Sequence, residues 1–137
     1  MSASARWIEV AAGVVFREGK ILISQRRSED HLGGLWEFPG GKLEQGESWE
    51  TCLHRELREE LAIEVAVDEL LFETRHAYPT KRILIRFYRC QWVRHEPQAL
   101  GCARFAWIGR EALKDYAFPP ADEPLVRLLT RADIPWK

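Results

Sequence analysis

The sequence predicts an α+β fold in which a mixed β-sheet is flanked by helices, with residues 1–137 forming one domain. Three observations carry this. Apolar runs of strand length recur along the chain, other segments switch to helical spacing, and the two kinds do not follow the strict βαβα order of a parallel sheet. The length also suits one domain with a real core, since a chain of about 150 residues buries roughly 70% of its unfolded surface.

The elements follow in order. Trp7 to Arg17 and Ile21 to Ser24 are rich in Val, Ile and Ala and read as two strands joined by a tight turn at Glu18-Gly19-Lys20. Gly33 to Gly41 carries glycines and a proline that exclude a regular helix, so a shaped loop around a short strand is expected there. Ser48 is a plausible N-cap for a helix to Leu61, because Trp49, Cys52, Leu53, Leu57 and Leu61 recur at helical spacing. Ile63 to Phe72 reads as one or two short strands, Arg82 to Val93 as a long one and Ala103 to Ile108 as another. After Gly109 the pattern turns helical twice, briefly at Glu111 to Tyr116 and again from Pro120 or Ala121 to Arg131.

Composition narrows the function classes. Hydrophobic residues at 46% and charged residues at 30% describe an ordinary globular chain, neither disordered nor collagen-like. A net charge of -1 gives no bulk attraction to duplex DNA or an anionic membrane. Cys52, Cys90 and Cys102 form no C-x-x-C pair, and residues 1–6 lack the basic-then-apolar order of a secretory signal, so a reduced cytoplasmic setting is expected. His31, His54, His76 and His95 are scattered without a zinc pattern. Arg75, Lys81, Arg82, Arg86 and Arg89 make a basic stretch around Tyr78-Pro79 that reads either as a solvated strand face or as a contact for triphosphate or RNA 5′ ends. The oligomeric state, monomer or homodimer, stays open.

The chemistry concentrates on the central helix. Glu56, Glu59 and Glu60 stand at i, i+3 and i+4, so their side chains emerge from neighbouring turns and can meet at one point. At about 100° per residue, Glu56 and Glu60 share a sector with Trp49 and Leu53, while Arg55 and Arg58 fall on the other side. The acids also occupy the last turns, where the helix dipole disfavours negative charge by roughly 0.3 to 1 kcal/mol each, so something positive should compensate. A hard divalent cation such as Mg²⁺, which takes oxygen ligands, fits this arrangement. A solvated acidic stripe paired with Arg55 and Arg58 fits the helix alone equally well.

The preceding loop separates the two readings. Gly41, five residues, Glu47, seven residues and then Arg55-Glu56-Leu57-Arg58-Glu59-Glu60-Leu61-Ala62-Ile63 resemble the Nudix box, G-x5-E-x7-R-E-U-x-E-E-x-G-U with U apolar. Val10 to Phe16, Gln25-Arg26-Arg27, Leu35 to Gly41 and Phe118-Pro119-Pro120-Ala121-Asp122 extend the resemblance toward the MutT-like branch over most of the chain. It implies an α/β/α sandwich with a loop-helix-loop catalytic segment. Glu56, Glu59, Glu60 and the Gly41 carbonyl would then ligate Mg²⁺, for which Mn²⁺ can substitute, and Glu47 would hold Arg55. Water would attack phosphorus, releasing a nucleoside monophosphate and pyrophosphate, with Glu56 the first candidate for general base. Arg27, Lys42 and Arg26 are candidate phosphate contacts, Arg27 being favoured by the resemblance, and Phe38, Phe118 and Tyr78 could stack on a base.

Three departures from the pattern bear on substrate and turn geometry. Ala62 stands where the box has glycine, at a cost of roughly 1 kcal/mol if the backbone turns left-handed. Gly101 stands where MutT-like relatives often carry a further metal-binding glutamate, with Glu96 the nearest acid. Asp122 replaces an asparagine that would read an oxidised guanine; ionised, it only accepts hydrogen bonds and suits the exocyclic amine of cytosine or adenine or the N7–H of 8-oxoguanine, repelling a guanine O6 unless protonated, and it could instead cap the last helix. The expected activity is therefore a nucleoside triphosphate pyrophosphohydrolase, with 8-oxo-dGTP first and CTP or dCTP next. RNA 5′-end pyrophosphate removal and a non-catalytic nucleotide-sensing module are the alternatives.

Overall fold

The computed structural model describes residues 7–137. The expectation about a secretory signal falls on residues 1–6, outside the described range. Strands β1 (Ile8–Arg17) and β2 (Lys20–Gln25) form the expected hairpin. Glu18 and Gly19 both take positive φ, 52° and 79°, as the two-residue turn that matches strand twist requires. The glycine-rich loop then contributes two short strands rather than one, β3 (Trp36–Glu37) and β4 (Gly40–Lys42), parted by Phe38-Pro39.

Helix α1 (Trp49–Leu61) begins where expected, with the Ser48 hydroxyl accepting the Thr51 N–H at 3.0 Å. It ends in a left-handed residue, Ala62 at φ 60°, whose N–H donates to the Arg58 carbonyl while Ile63 N–H donates to that of Leu57. This is the closing turn that usually employs glycine. Beyond it, the Leu100 and Gly101 N–H groups both donate to the Glu60 carbonyl at 3.0 Å and Gln98 N–H to that of Leu61. Backbone donors thus supply part of the positive charge demanded by the helix end.

The next segment corrects the expectation of one or two short strands. Strand β5 (Glu64–Tyr78) is continuous for 15 residues and pairs antiparallel with β6 (Lys81–Arg94) from Glu64–Arg94 to Tyr78–Lys81. The acids Asp68 and Glu69, which look like a break, lie in a bulge where the register shifts between Val67 and Leu70. Strand β7 (Arg104–Ile108) pairs with β2. A 3₁₀ segment over Arg110–Asp115 stands where a brief helix is expected. The last helix is shorter than its sequence pattern: a 3₁₀ turn at Pro120–Asp122 leads into α2 (Glu123–Leu129).

The sheet runs β3-β2-β1-β6-β5, with β4 beside β1 and β7 beside β2. It is mixed because β1 and β6 are parallel while the other pairs are antiparallel. One face packs Cys52, Leu53, Leu57 and Leu61 of α1 on Ala11, Val15, Leu22 and Cys90. The other packs Leu125, Leu129, Leu113 and Trp136 on Val14, Phe16, Ile21 and Phe87. Burial on both faces explains the near-continuous apolar run of β1. The three cysteines are buried and unpaired, and no described helix is long and apolar enough to cross a membrane. Ala62→Gly should relieve the left-handed strain and raise unfolding free energy by about 1 kcal/mol in urea titration. An unchanged midpoint would show that the turn carries no strain.

Candidate active site

Strand β4 delivers the loop glycines to the side of α1. A Cβ on Gly41 would stand 2.3 Å from the carboxyl carbon of Glu56, so only glycine lets that carboxylate lie over the backbone. The same loop is tied to α1 twice: the Cys52 thiol donates to the Gly41 carbonyl at 3.5 Å, and Arg55 Nη2 donates to that of Lys42 at 3.1 Å.

Arg55 is the hub of the acidic segment. It grips Glu47 with two bonds, Nε to Oε2 at 2.6 Å and Nη2 to Oε1 at 2.9 Å, and its Nη1 donates to Glu56 at 2.9 Å and Glu59 at 3.1 Å. That bonding, with the Glu44 N–H, holds the Glu47 carboxyl down at about 2. The guanidinium lies between Glu56 and Glu59, so the three carboxylates do not converge. Among the described residues no three His, Cys, Asp or Glu groups form a ready ligand set.

Two of the three acids face a cleft of about 390 Å³, Glu56 and Glu60, together with Gly41 and Lys42. Glu59 is not among its lining residues, and its side chain is 60% exposed. Burial, then repulsion from Glu37 and Glu56, pushes the Glu60 carboxyl up to about 8. Burial also raises Glu56 above the usual carboxylate range, against the pull of Arg55.

The far end of the cleft departs from expectation in several places. Arg27 does not reach it: its Nη2 donates to the Leu100 carbonyl at 2.9 Å on the outside. Its neighbour Arg26 lines the cleft instead, with Nη1 on Glu37 at 2.9 Å and Nε on the His31 carbonyl at 2.6 Å. Strand β2 ends at Gln25, and a shift of one position beyond it exchanges inside for outside. Phe38 lines the cleft but is only 4% exposed, with Phe118 stacked on it at 5.1 Å and Phe87 edge-on at 5.8 Å. It belongs to the core and has no free face for a base.

Asp122 does reach the cleft. It sits at the N-cap position of α2 yet makes no capping bond, and it is 6% exposed. Burial, then Glu37, raises its carboxyl to about 8. Glu37 and His31 are cleft residues absent from the sequence-based site. Of the basic stretch only Lys81 lines the cleft; Arg86 is paired with Glu73 at 2.8 Å and Arg89 with Glu69 at 3.0 Å. Glu96 is paired with Arg17 at 3.0 Å, and a Cβ on Gly101 would press on Glu60 Cγ at 3.0 Å. Neither position supplies a further acid to the cleft.

Comparison with known proteins agrees with this geometry. The NUDIX domain family model matches residues 11–128. The CTP pyrophosphohydrolase of Escherichia coli (strain K12) is 37% identical over 121 residues, which cover 88% of this chain and 90% of that protein. The 8-oxo-dGTP diphosphatase of Haemophilus influenzae is 38% identical over 124 residues, covering 89% of this chain and 90% of that one. The solution structure of the E. coli ORF135 protein superposes with a TM-score of 0.81 at 34% identity, covering 100% of this chain and 99% of its own. The chain therefore belongs to the Nudix family and is an enzyme of the Nudix hydrolase class. Members of this family generally need a divalent metal cation.

Gly41→Ala should drive Glu56 off the loop and lower turnover by about tenfold or more, with melting temperature and circular dichroism near wild type. Full activity in that variant would mean the Glu56 carboxylate has no role where it now lies.

Proposed function

We propose that this enzyme hydrolyses nucleoside triphosphates to the monophosphate and pyrophosphate in the cleft between α1, β4 and the 3₁₀ turn at Asp122. The observation that carries it is the pairing, in one cavity, of buried acids against the Gly41 backbone at one end with a buried hydrogen-bonding carboxyl at the other. The acids mark the phosphate end and Asp122 the base end.

The donor set fits a hard divalent cation. Its atoms are carboxylate and carbonyl oxygens, and burial, with repulsion from Glu37 and Glu56 added to it, raises the Glu60 carboxyl to about 8. Glu56, Glu60, the Gly41 carbonyl and, as the family resemblance implies, Glu59 would hold Mg²⁺, with Mn²⁺ able to replace it. Bound there, the cation would offset charge on the leaving pyrophosphate and acidify the attacking water. Glu47 fixes Arg55, and Arg55 in turn orients Glu56, which takes the proton of the attacking water. Lys42, next to Gly41, faces the negative charge of the triphosphate, and Arg26 and Lys81 are the other basic residues lining the cleft.

Asp122 reads the base. Protonated below about pH 8, it both donates and accepts, as an asparagine amide does, and matches the O6 and N7–H of an oxidised guanine. Ionised, it only accepts and favours the exocyclic amine of cytosine. These states accord with the names of the two relatives, one acting on CTP and one on 8-oxo-dGTP. Free nucleotides are favoured over RNA 5′ ends because four of the five basic residues in the stretch around Tyr78-Pro79 lie outside the cleft. The retained acids favour an enzyme over a sensing module. A reduced cytoplasm suits the three unpaired cysteines.

At limiting Mg²⁺, Glu60→Gln should lose on the order of a hundredfold in rate, and Glu59→Gln should also fall. A wild-type rate in either would remove that residue from the ligand set. The ratio of 8-oxo-dGTP to CTP turnover should decline as pH rises through about 8, and Asp122→Asn should abolish the decline. A pH-independent ratio in the wild type would return Asp122 to a structural role.

A further inference from the structure

The loop that joins β6 to β7, residues 95–103, closes over the end of α1 and is fastened along its length. At its start, the Glu96 carboxylate accepts two bonds from Arg17, Nη1 to Oε1 at 3.1 Å and Nη2 to Oε2 at 3.0 Å. The Arg17 guanidinium lies 3.7 Å over the Trp92 ring, whose Nε1 donates to the His95 carbonyl at 2.8 Å. Further along, Arg27 Nη2 donates to the Leu100 carbonyl at 2.9 Å. At the far end, Ala103 N–H donates to the Gln25 carbonyl at 2.9 Å.

What the loop holds is Glu60. Leu100 and Gly101 N–H groups both donate to the Glu60 carbonyl at 3.0 Å. A Cβ on Gly101 would stand 3.0 Å from Glu60 Cγ and 3.3 Å from its Cβ, so the loop backbone is the wall against which the stem of Glu60 lies. Past that wall the side chain enters the cleft. Arg27 thus bonds the residue whose own N–H reaches Glu60. Its backbone is fixed in turn: Asp30 N–H donates to the Arg27 carbonyl at 3.0 Å, and a Cβ on Gly33 would stand 2.7 Å from that oxygen.

We propose that Arg27 is a positioning residue for Glu60, acting through Leu100 and Gly101 of a clasp over the end of α1. This rests on the cation-site reading above and deepens it, because the side chain that orients one of the acids lies outside the cleft. Groups that hold a ligand in place govern metal affinity as well as the ligand itself does. With backbone rather than a carboxylate at position 101, the loop serves the site by holding an acid instead of adding one. A direct phosphate contact by Arg27 would leave Glu60 and metal affinity untouched, which separates the two roles.

The test compares wild type with Arg27→Ala, Glu96→Ala and, as a control on a different ion pair, Arg131→Ala. Calorimetric titration of Mn²⁺ into the metal-free proteins should show binding about threefold to tenfold weaker in Arg27→Ala, weaker also in Glu96→Ala, and as wild type in Arg131→Ala. Pyrophosphate affinity of Arg27→Ala at saturating Mg²⁺ should match wild type. NMR of the metal-free proteins reads the clasp itself. In Arg27→Ala the Leu100 and Gly101 N–H groups should exchange faster and ¹³C relaxation at Glu60 Cγ should show lower order, with the Leu53 and Leu57 amides unchanged. Wild-type Mn²⁺ affinity in Arg27→Ala, or a loss for pyrophosphate alone, would overturn the proposal. Absence of Mn²⁺ binding by the wild type would remove the cation reading. Glu60 order in Arg27→Ala would still decide the clasp, its fall supporting it and its persistence overturning it.

Discussion

Glu37, Glu56, Glu60 and Asp122 share one cleft, and keeping like-charged groups together out of water dictates much of the surrounding structure. Arg55 offsets part of the cost at one end by bonding Glu47, Glu56 and Glu59 at once. Arg26 does the same at the other end through Glu37. What these arginines leave uncompensated appears in the two carboxyls raised to about 8, Glu60 and Asp122. The first excess asks for a cation; the second, retained as a proton, becomes a hydrogen-bond donor.

The fold brings these groups together by simple means. Strand β1 pairs along its length with β6 on one side and with β4 and β2 on the other, so the glycine strand lies in the sheet beside β1 and against α1. Helix α1 buries Leu53, Leu57 and Leu61 on the sheet, which turns Glu56 and Glu60 toward the cleft and leaves Glu59 outside. The loop over 98–101 caps the end of α1 with backbone N–H groups, and its close approach leaves little room for a side chain at Gly101. With no side chain at Gly101, the acids that line the cleft come from α1, β3 and the 3₁₀ turn at Asp122.

Some of this is legible in the sequence for definite physical reasons. Helix α1 is marked by its Ser48 cap and its periodic leucines, and the glycine spacing before it marks Gly41, because both are local signals. The side of the helix taken by Glu56 and Glu60 follows from rotation alone. Other features depend on partners distant in sequence. Glu37 enters the site because β3 pairs with β2 opposite Ser24, and Arg26 displaces Arg27 because of where β2 ends. Phe38 looks available for stacking until Phe118, 80 positions later, is found against it. The length of β5 is hidden by bulges that accommodate its acids without a turn.

Whether the cleft carboxylates form a cation site is reported by stability independently of catalysis. A Glu60 carboxyl raised from 4.5 to about 8 keeps a proton in the folded state that the unfolded chain releases, so metal-free stability falls as pH rises across that window. The most direct measurement is thermal unfolding at pH 9 with and without saturating Mg²⁺. A cation site there should raise the melting temperature by about 5 °C or more, and by less at pH 6, where the proton competes with the cation. A melting temperature that neither Mg²⁺ nor Mn²⁺ moves at pH 9 would contradict it.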